Sequence, residues 1–151
     1  MTPPDGPDPV LARVGAAVVA DPARARELLD ELWADIGADT GDPLHRCAVA
    51  HALADVQDDV AQELRWDERA LAAAGEVTDE RVTASGMAAS AAALYPSLHL
   101  NVGECHRRLG NRARAAEHAR LGLAATASLG DDGYARLVRD GLDRLARRVG
   151  N

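Results

Sequence analysis

Lysine and phenylalanine are both missing from this chain of 151 residues, and only 3% of its residues are aromatic. Each of the 17 basic residues is therefore an arginine, a coding bias typical of GC-rich bacterial genomes. Isoleucine, tyrosine and threonine are also scarce, which argues against a fold built mainly from β-strands. Alanine, leucine, arginine and glutamate are abundant and favour helices. The composition therefore predicts an all-α protein.

Cysteine occurs only as Cys47 and Cys105, and the chain has no Cys-x-x-Cys pair. This excludes a disulfide-stapled scaffold, and we expect two reduced, mostly buried thiols. The first residues, MTPPDGPDP, lack the basic and apolar regions of a signal peptide. No apolar run approaches the length of a membrane-spanning helix. We therefore expect a cytoplasmic protein with a disordered segment over residues 1–8.

Charge is divided unevenly along the chain, whose formal net charge is −7. Residues 1–105 hold 7 arginines against 19 acidic residues (−12), whereas residues 106–151 hold 10 against 5 (+5). An overall acidic protein is a poor nucleic-acid binder, and no basic patch is interleaved with aromatics. The split instead permits self-association or an acidic partner, although two solvated faces would give the same pattern.

Start and stop signals divide residues 9–149 into eight helices within a single domain. Asp21-Pro22 and Asp42-Pro43 each combine an N-cap with a first-turn proline, and Thr78 caps a fifth helix that we expect to continue through Ala93. Short connections predict antiparallel hairpins. The helices are predicted at about 9–20, 22–36, 43–57, 60–74, 78–93, 96–109, 112–128 and 132–148.

An internal repeat is visible when residues 49–71 are set beside residues 101–123. The two sequences are VAHALADVQDDVAQELRWDERAL and NVGECHRRLGNRARAAEHARLGL. Each predicts a helix, a short turn and a second helix of matching length. Repetition of one helical hairpin is typical of stacked repeat proteins.

The second sequence resembles the tetratricopeptide repeat family. Its matching positions are Val102-Gly103 at the Leu-Gly pair, Leu109-Gly110-Asn111 at the turn, Ala115 at the small residue and Gly122-Leu123 at the closing Ala-Leu. The first sequence keeps Glu63 and Ala70-Leu71 but has His51 in place of the family's glycine. The usual aromatic positions hold Cys47, Ala54, His99 and His106.

The resemblance implies a tetratricopeptide-like α-solenoid of antiparallel hairpins. Repeat-like units would cover about 43–75 and 96–128, and the helix at 132–148 would cap one end. In this family the first helix of each hairpin lines a concave surface that binds a protein or peptide, without a cofactor. The implied binding residues are His45, Asp55, Asn101, Glu104 and Arg108. Asn101 would bond a ligand backbone, and Arg108 would hold a carboxylate.

A different set of residues supports an alternative function, a metal-binding or small-molecule pocket. It consists of Cys47, His51, His99 and His106, whose helical spacing and donor types suit zinc or copper. His51 with Asp55 could form a general base, but the nearby hydroxyl of Ser97 is expected to cap the sixth helix. No HExxH motif or glycine-rich phosphate loop is present. We therefore favour a binding protein over an enzyme and expect no resident metal.

Overall fold

A computed structural model describes residues 8–87 and 89–150, and every regular element in these residues is helical. Disorder is predicted for residues 1–8, of which residues 1–7 lie outside the described residues; Asp8 is ordered, because its side chain caps α1. The α-helices are α1 (Pro9–Val18), α2 (Pro22–Asp35), α3 (Pro43–Asp55), α4 (Val60–Ala74), α5 (Asp79–Ala84), α6 (Tyr95–Arg108), α7 (Arg112–Ala124) and α8 (Gly133–Val149). Single 3₁₀ turns occupy Ala38–Thr40, Ala91–Leu94 and Thr126–Ser128. No described helix combines the length and apolar character needed to cross a bilayer.

Side-chain caps begin most of the helices. Asp42 Oδ1, for example, accepts from the Leu44 N–H at 2.9 Å, and Pro43 follows it at a position that needs no N–H bond. The caps predicted at Asp21 and Thr78 are confirmed as well. The capping residues are Asp8, Asp21, Asp42, Thr78, Asn111 and Asp132.

The fifth helix is shorter than the sequence predicts. α5 ends at Ala84, and a separate 3₁₀ turn follows at Ala91–Leu94. Gly86 lies between them with φ +88°, a left-handed conformation that residues with a Cβ rarely adopt. This alanine- and serine-rich stretch also offers little apolar surface for a longer helix to bury. The expectation of a helix continuing through Ala93 is therefore wrong.

Several other helix boundaries differ from the prediction by one to four residues. α6 begins at Tyr95, so Ser97, which we expected to cap this helix, lies inside its first turn. α7 ends at Ala124 instead of near residue 128, and a 3₁₀ turn at Thr126–Ser128 follows it. Because Ser97 bonds no helix terminus as a cap, its side chain is left to face a pocket described below.

The helices pack on one another in chain order. α1 contacts α2, and both contact α3; α3 packs on α4, α4 on α6, α6 on α7, and α7 on α8. α6 also contacts α8. The α3–α4 and α6–α7 hairpins therefore lie side by side, joined through α4 and α6. All buried polar groups discussed below lie at or between these two hairpins.

Two tryptophans and several alanines fill the space around α3. The rings of Trp33 and Trp66 meet edge to face with centroids 5.1 Å apart, and both pack against buried leucines. Trp33 and Trp66 therefore belong to the packing around the buried core. Between α3 and α4 the contact is made by small residues, Ala50, Ala70 and Ala73, which let the two helices approach closely.

Reciprocal contacts between glycine and histidine join α6 to α7. A Cβ added at Gly103 on α6 would lie 3.3 Å from His118 Cβ on α7. A Cβ added at Gly122 on α7 would lie 3.2 Å from His99 Cβ on α6. Both separations are tighter than ordinary van der Waals contact, so a larger residue at either position would force the helices apart.

α8 approaches the same hairpin through further contacts of this kind, including 2.7 Å between a Cβ added at Gly103 and Leu145 Cδ2. A Cβ at Gly122 would lie 2.5 Å from Leu142 Cδ2, and a Cβ at Gly141 would lie 2.8 Å from Leu100 Cδ2. Leu142 is completely buried, so it has little freedom to move away. The positions of α6, α7 and α8 relative to one another therefore depend on the absence of side chains at these glycines.

We predict that Gly122→Ala destabilises the protein by about 1–2 kcal/mol, although alanine favours a helix by about 1 kcal/mol over glycine. The added methyl group would meet Leu142 and His99. Gly15→Ala is the matched control, because Gly15 lies on the exposed side of α1 and a Cβ there meets nothing within 4 Å. Urea unfolding should show this control to be more stable than the natural protein by about 0.5–1 kcal/mol. Equal stability of the two variants would contradict the packing described here.

Candidate functional site

His45, a predicted binding residue, takes part in an ion-pair network that ties α1 to α3 and α5. Its Nε2 lies 2.9 Å from Asp8 Oδ2, and Arg81 Nη2 donates to the same oxygen at 3.1 Å. Arg81 Nε also donates to Asp42 Oδ2 at 2.8 Å. Although burial opposes ionisation, the bonds from His45 and Arg81 lower the pKa of Asp8 to about 2. His45 thus links three helices at this network and lines neither the pocket nor the shelf described below, so its binding role stays a prediction.

An apolar pocket of about 500 Å³ opens between α3, α6 and the first turn of α8. Met87 and Tyr134 stand beside it with 38% and 56% of their surfaces exposed. Burial raises the pKa of Cys47 to about 11, so this thiol is neutral at neutral pH and acts as part of the apolar wall. The lining residues from α3 and α6 are Leu44, Cys47, Ala48, His51, Ser97 and Leu98.

A second, shallower depression of about 340 Å³ lies between α6 and α8, and we call it the α6–α8 shelf. It contains two predicted binding residues, Asn101 and Glu104, together with Arg144 and Arg148 from α8. Asn101 Nδ2 lies 3.3 Å from His51 Nδ1, and His51 belongs to the wall of the apolar pocket. The shelf and the pocket are therefore neighbours, linked by this one side-chain contact.

Arg108, which is predicted to bind the carboxylate of a ligand, forms an ion pair with a carboxylate of its own chain. Its Nη1 donates to the two oxygens of Glu63 at 3.1 and 3.2 Å. The Cys105 thiol donates to Glu63 Oε2 at 3.0 Å and lies 3.6 Å from Asp67 Oδ2. We call the three residues Glu63, Asp67 and Cys105 the acid–thiol cluster. It lies between α4 and α6, where the two hairpins meet.

The acid–thiol cluster is buried and carries an excess of acidic groups. Burial, reinforced by the charges of Asp55 and Glu63, raises the pKa of Asp67 to about 7. Burial and the two carboxylates also raise the pKa of the Cys105 thiol far above its usual range. Asp55, the remaining predicted binding residue, is exposed at the end of α3 and contributes its charge from there. At neutral pH Asp67 therefore partly keeps a proton that a water-exposed carboxyl group would give up.

Three histidines form a second buried group, between α6 and α7. His99 Nδ1 and His118 Nδ1 are 3.1 Å apart, and the rings of His106 and His118 stack with centroids separated by 5.7 Å. Burial lowers the pKa of each ring, and the charges of His99 and Arg114 help lower that of His118 to about 4. All three imidazoles are therefore neutral at pH 7.

The four residues of the alternative function do not gather at one place. Cys47 and His51 line the apolar pocket, whereas His99 and His106 lie against His118. Within residues 8–87 and 89–150, the group of side chains spaced for a metal ion is the acid–thiol cluster, which contains none of the four.

Asp67 and His118 belong to no sequence motif that predicts a functional role. A weak signal existed for Asp67, because Glu63 and Asp67 are four residues apart and share one face of a helix. Its burial against Cys105 depends on how α4 packs on α6, which local patterns do not determine. His118 gave no comparable signal, since its partners come from a different helix.

No protein-family model, curated protein or solved structure matches this chain. The tetratricopeptide resemblance therefore depends on the motif residues of residues 101–123 and, more weakly, of residues 49–71.

Asp8→Ala is expected to destabilise the protein more than Asp21→Ala does. Both substitutions remove an N-cap, which is worth about 1 kcal/mol, but only Asp8 also holds His45 and Arg81. Chemical denaturation of the two variants measures the difference. If both lose the same stability, the network around His45 contributes nothing beyond the cap.

His118 should make the protein less stable as the pH falls from about 6.5 to about 4. Between these pH values the unfolded chain binds a proton at His118, whereas the folded protein keeps the ring neutral. The stability that depends on the neutral ring is therefore fully present above pH 6.5 and is lost as the pH falls to about 4. His118→Gln should therefore flatten the dependence of unfolding free energy on pH by up to about 1.4 kcal/mol per pH unit. His99, His106, Arg114 and Glu117 surround the ring and are unchanged in this variant. Equal slopes for both proteins would show that His118 is not kept neutral by the fold.

Proposed function

We propose that this chain is a tetratricopeptide-like adaptor that binds an acidic peptide segment carrying an apolar side chain. The observation that carries the proposal is the apolar pocket of about 500 Å³ next to a shelf with two arginines. The proposed mechanism is recognition without a chemical reaction. The cytoplasmic location of the protein stays a prediction from the sequence.

The order of helix contacts supports a solenoid-like arrangement. Each hairpin packs on the next through consecutive helices, and α1–α2 and α8 flank the two hairpins at opposite ends of the chain. Terminal helices of this kind cover the open ends of a repeat array. In such an array α3, α6 and α8 would supply one common surface, and all three contribute to the pocket or the shelf.

The size and lining of the pocket support an apolar anchor side chain as its occupant. A volume of this order suits one or two large side chains, and mostly apolar walls make their burial favourable. His51, Ser97 and Tyr134 add polar atoms that could orient the segment. Asn101 lies next to His51 and could bond the peptide backbone through its amide.

The charge of the shelf supports an acidic partner. Arg144 and Arg148 are exposed, and neither forms a salt bridge with any part of the chain that the structure describes. Glu104 is already bonded by Arg107 Nε at 3.0 and 3.1 Å, so its charge is partly balanced. Guanidinium groups bind carboxylates with two parallel hydrogen bonds, which gives orientation as well as affinity. A small neutral ligand would use the pocket alone, so the shelf favours the peptide over the small-molecule alternative.

Selection from a library of random short peptides tests the pocket. We expect the natural protein to enrich sequences that combine a large apolar residue with aspartate or glutamate. Ala48→Phe, which fills the pocket from α3, should weaken the best selected peptide by at least about tenfold, or ~1.4 kcal/mol. Ala34→Phe on the exposed face of α2 is the control and should bind normally. Unchanged binding by the Ala48→Phe variant would exclude the pocket.

A matched pair of charge variants tests the shelf. Arg144→Glu with Arg148→Glu should weaken the same peptide and remove the preference for acidic residues. Arg136→Glu with Arg147→Glu makes the same change in net charge on α8, but outside the shelf. Fluorescence anisotropy at low and moderate salt should show the loss for the first pair only. An equal loss in both pairs would mean that overall charge, not the shelf, attracts the peptide.

A further inference from the structure

The acid–thiol cluster brings three metal-ligand side chains together from two helices. Glu63 and Asp67 lie one turn apart on α4, and Cys105 faces both from α6. Three donor atoms, one from each residue, all lie within 4.8 Å of one another. A divalent cation with bonds of about 2.0–2.3 Å fits among donors spaced in this way.

An independent observation on Asp67 points to a missing partner. Asp67 is only 1% exposed, and within the described residues its Oδ1 has no hydrogen-bond partner. Its other oxygen lies 3.6 Å from Cys105 Sγ, so this carboxylate faces the thiol. Buried polar atoms normally have a partner, because leaving one unsatisfied costs free energy. A cation bound to Cys105 and to both oxygens of Asp67 would supply that partner.

The negative charges around the cluster favour the binding of a positive ion. Arg108 pairs with Glu63 at the more exposed edge of the cluster. Asp67 forms no salt bridge with the described residues, and Asp55 adds further negative charge nearby. A divalent ion would balance these carboxylates without any new side chain entering the interface.

We propose that Glu63, Asp67 and Cys105 form a zinc site between α4 and α6, with a fourth coordination position left open. The choice of metal follows from the donors, since a cysteine sulfur excludes Mg²⁺ and Ca²⁺ and carboxylate oxygens are poor ligands for Cu⁺. On binding, the Cys105 thiol and any protonated Asp67 carboxyl each release a proton to water, and the two groups coordinate as thiolate and carboxylate. Since three protein ligands are typical of zinc sites that bind a further molecule, the open position would accept water or an external donor. The site does not depend on the proposed peptide binding.

Cobalt substitution tests the site directly in the full-length, untagged protein. Co²⁺ bound to a thiolate produces a charge-transfer absorption in the near ultraviolet. Added Zn²⁺ should displace the Co²⁺ and remove this absorption. We expect this absorption in the natural protein and in Cys47→Ser, whose thiol lies in the apolar pocket away from the carboxylates. It should be lost in Cys105→Ser. Absence of the band in the natural protein, or its loss in Cys47→Ser alone, would overturn the proposal.

A second pair of variants covers the case in which Cys105→Ser fails to fold. Asp67→Asn and Glu63→Gln keep the size of each side chain and the thiol, and each should weaken Co²⁺ binding by at least about tenfold. Asp79→Asn on α5 is the control for general loss of negative charge and should leave the affinity unchanged. Equal affinity in the natural protein and in both cluster variants would contradict coordination by these carboxylates.

Discussion

The close approach of α6, α7 and α8 at their glycines is the constraint on which the rest of this structure depends. A chain with almost no aromatic residues cannot fill wide gaps between helices, so its helices must lie close together. Gly103 and Gly122 make this possible, because each faces the Cβ of a histidine on the neighbouring helix. Bulk that phenylalanine would supply elsewhere is provided here by imidazole rings and leucines.

This mode of packing also explains why polar groups lie inside. His99 and His118 occupy space between α6 and α7, and they stay neutral because burial disfavours the protonated ring. Asp67 and Cys105 occupy the corresponding space between α4 and α6. The interface between the hairpins therefore contains a buried carboxyl group and a buried thiol, and both are ligands in the proposed zinc site. The proposed peptide surface is different: it lies where α3, α6 and α8 leave an open pocket and a basic shelf.

Local signals in the sequence predicted the helices well because caps and stop residues act within a few positions. Asp21-Pro22 and Asp42-Pro43 are examples, since each combines an N-cap with a first-turn proline and begins a helix. The fifth helix was predicted too long, because an alanine-rich stretch has high helix propensity but little to bury. The sites were less predictable. The family resemblance identifies Asn101, which lies on the shelf. The role of Asp67 instead depends on its contact with Cys105, which is 38 residues away in the chain.

The most direct test of the close packing is a double-mutant cycle between Gly122 and Leu142. Leu142→Ala alone should cost about 2–5 kcal/mol by leaving a cavity. If the helices approach as described, trimming Leu142 makes room for the methyl group of Gly122→Ala. The double variant should then be more stable than the sum of the single losses predicts, by at least about 1 kcal/mol. Additive losses, within about 0.5 kcal/mol, would contradict the contact between α7 and α8 and the arrangement of helices built on it.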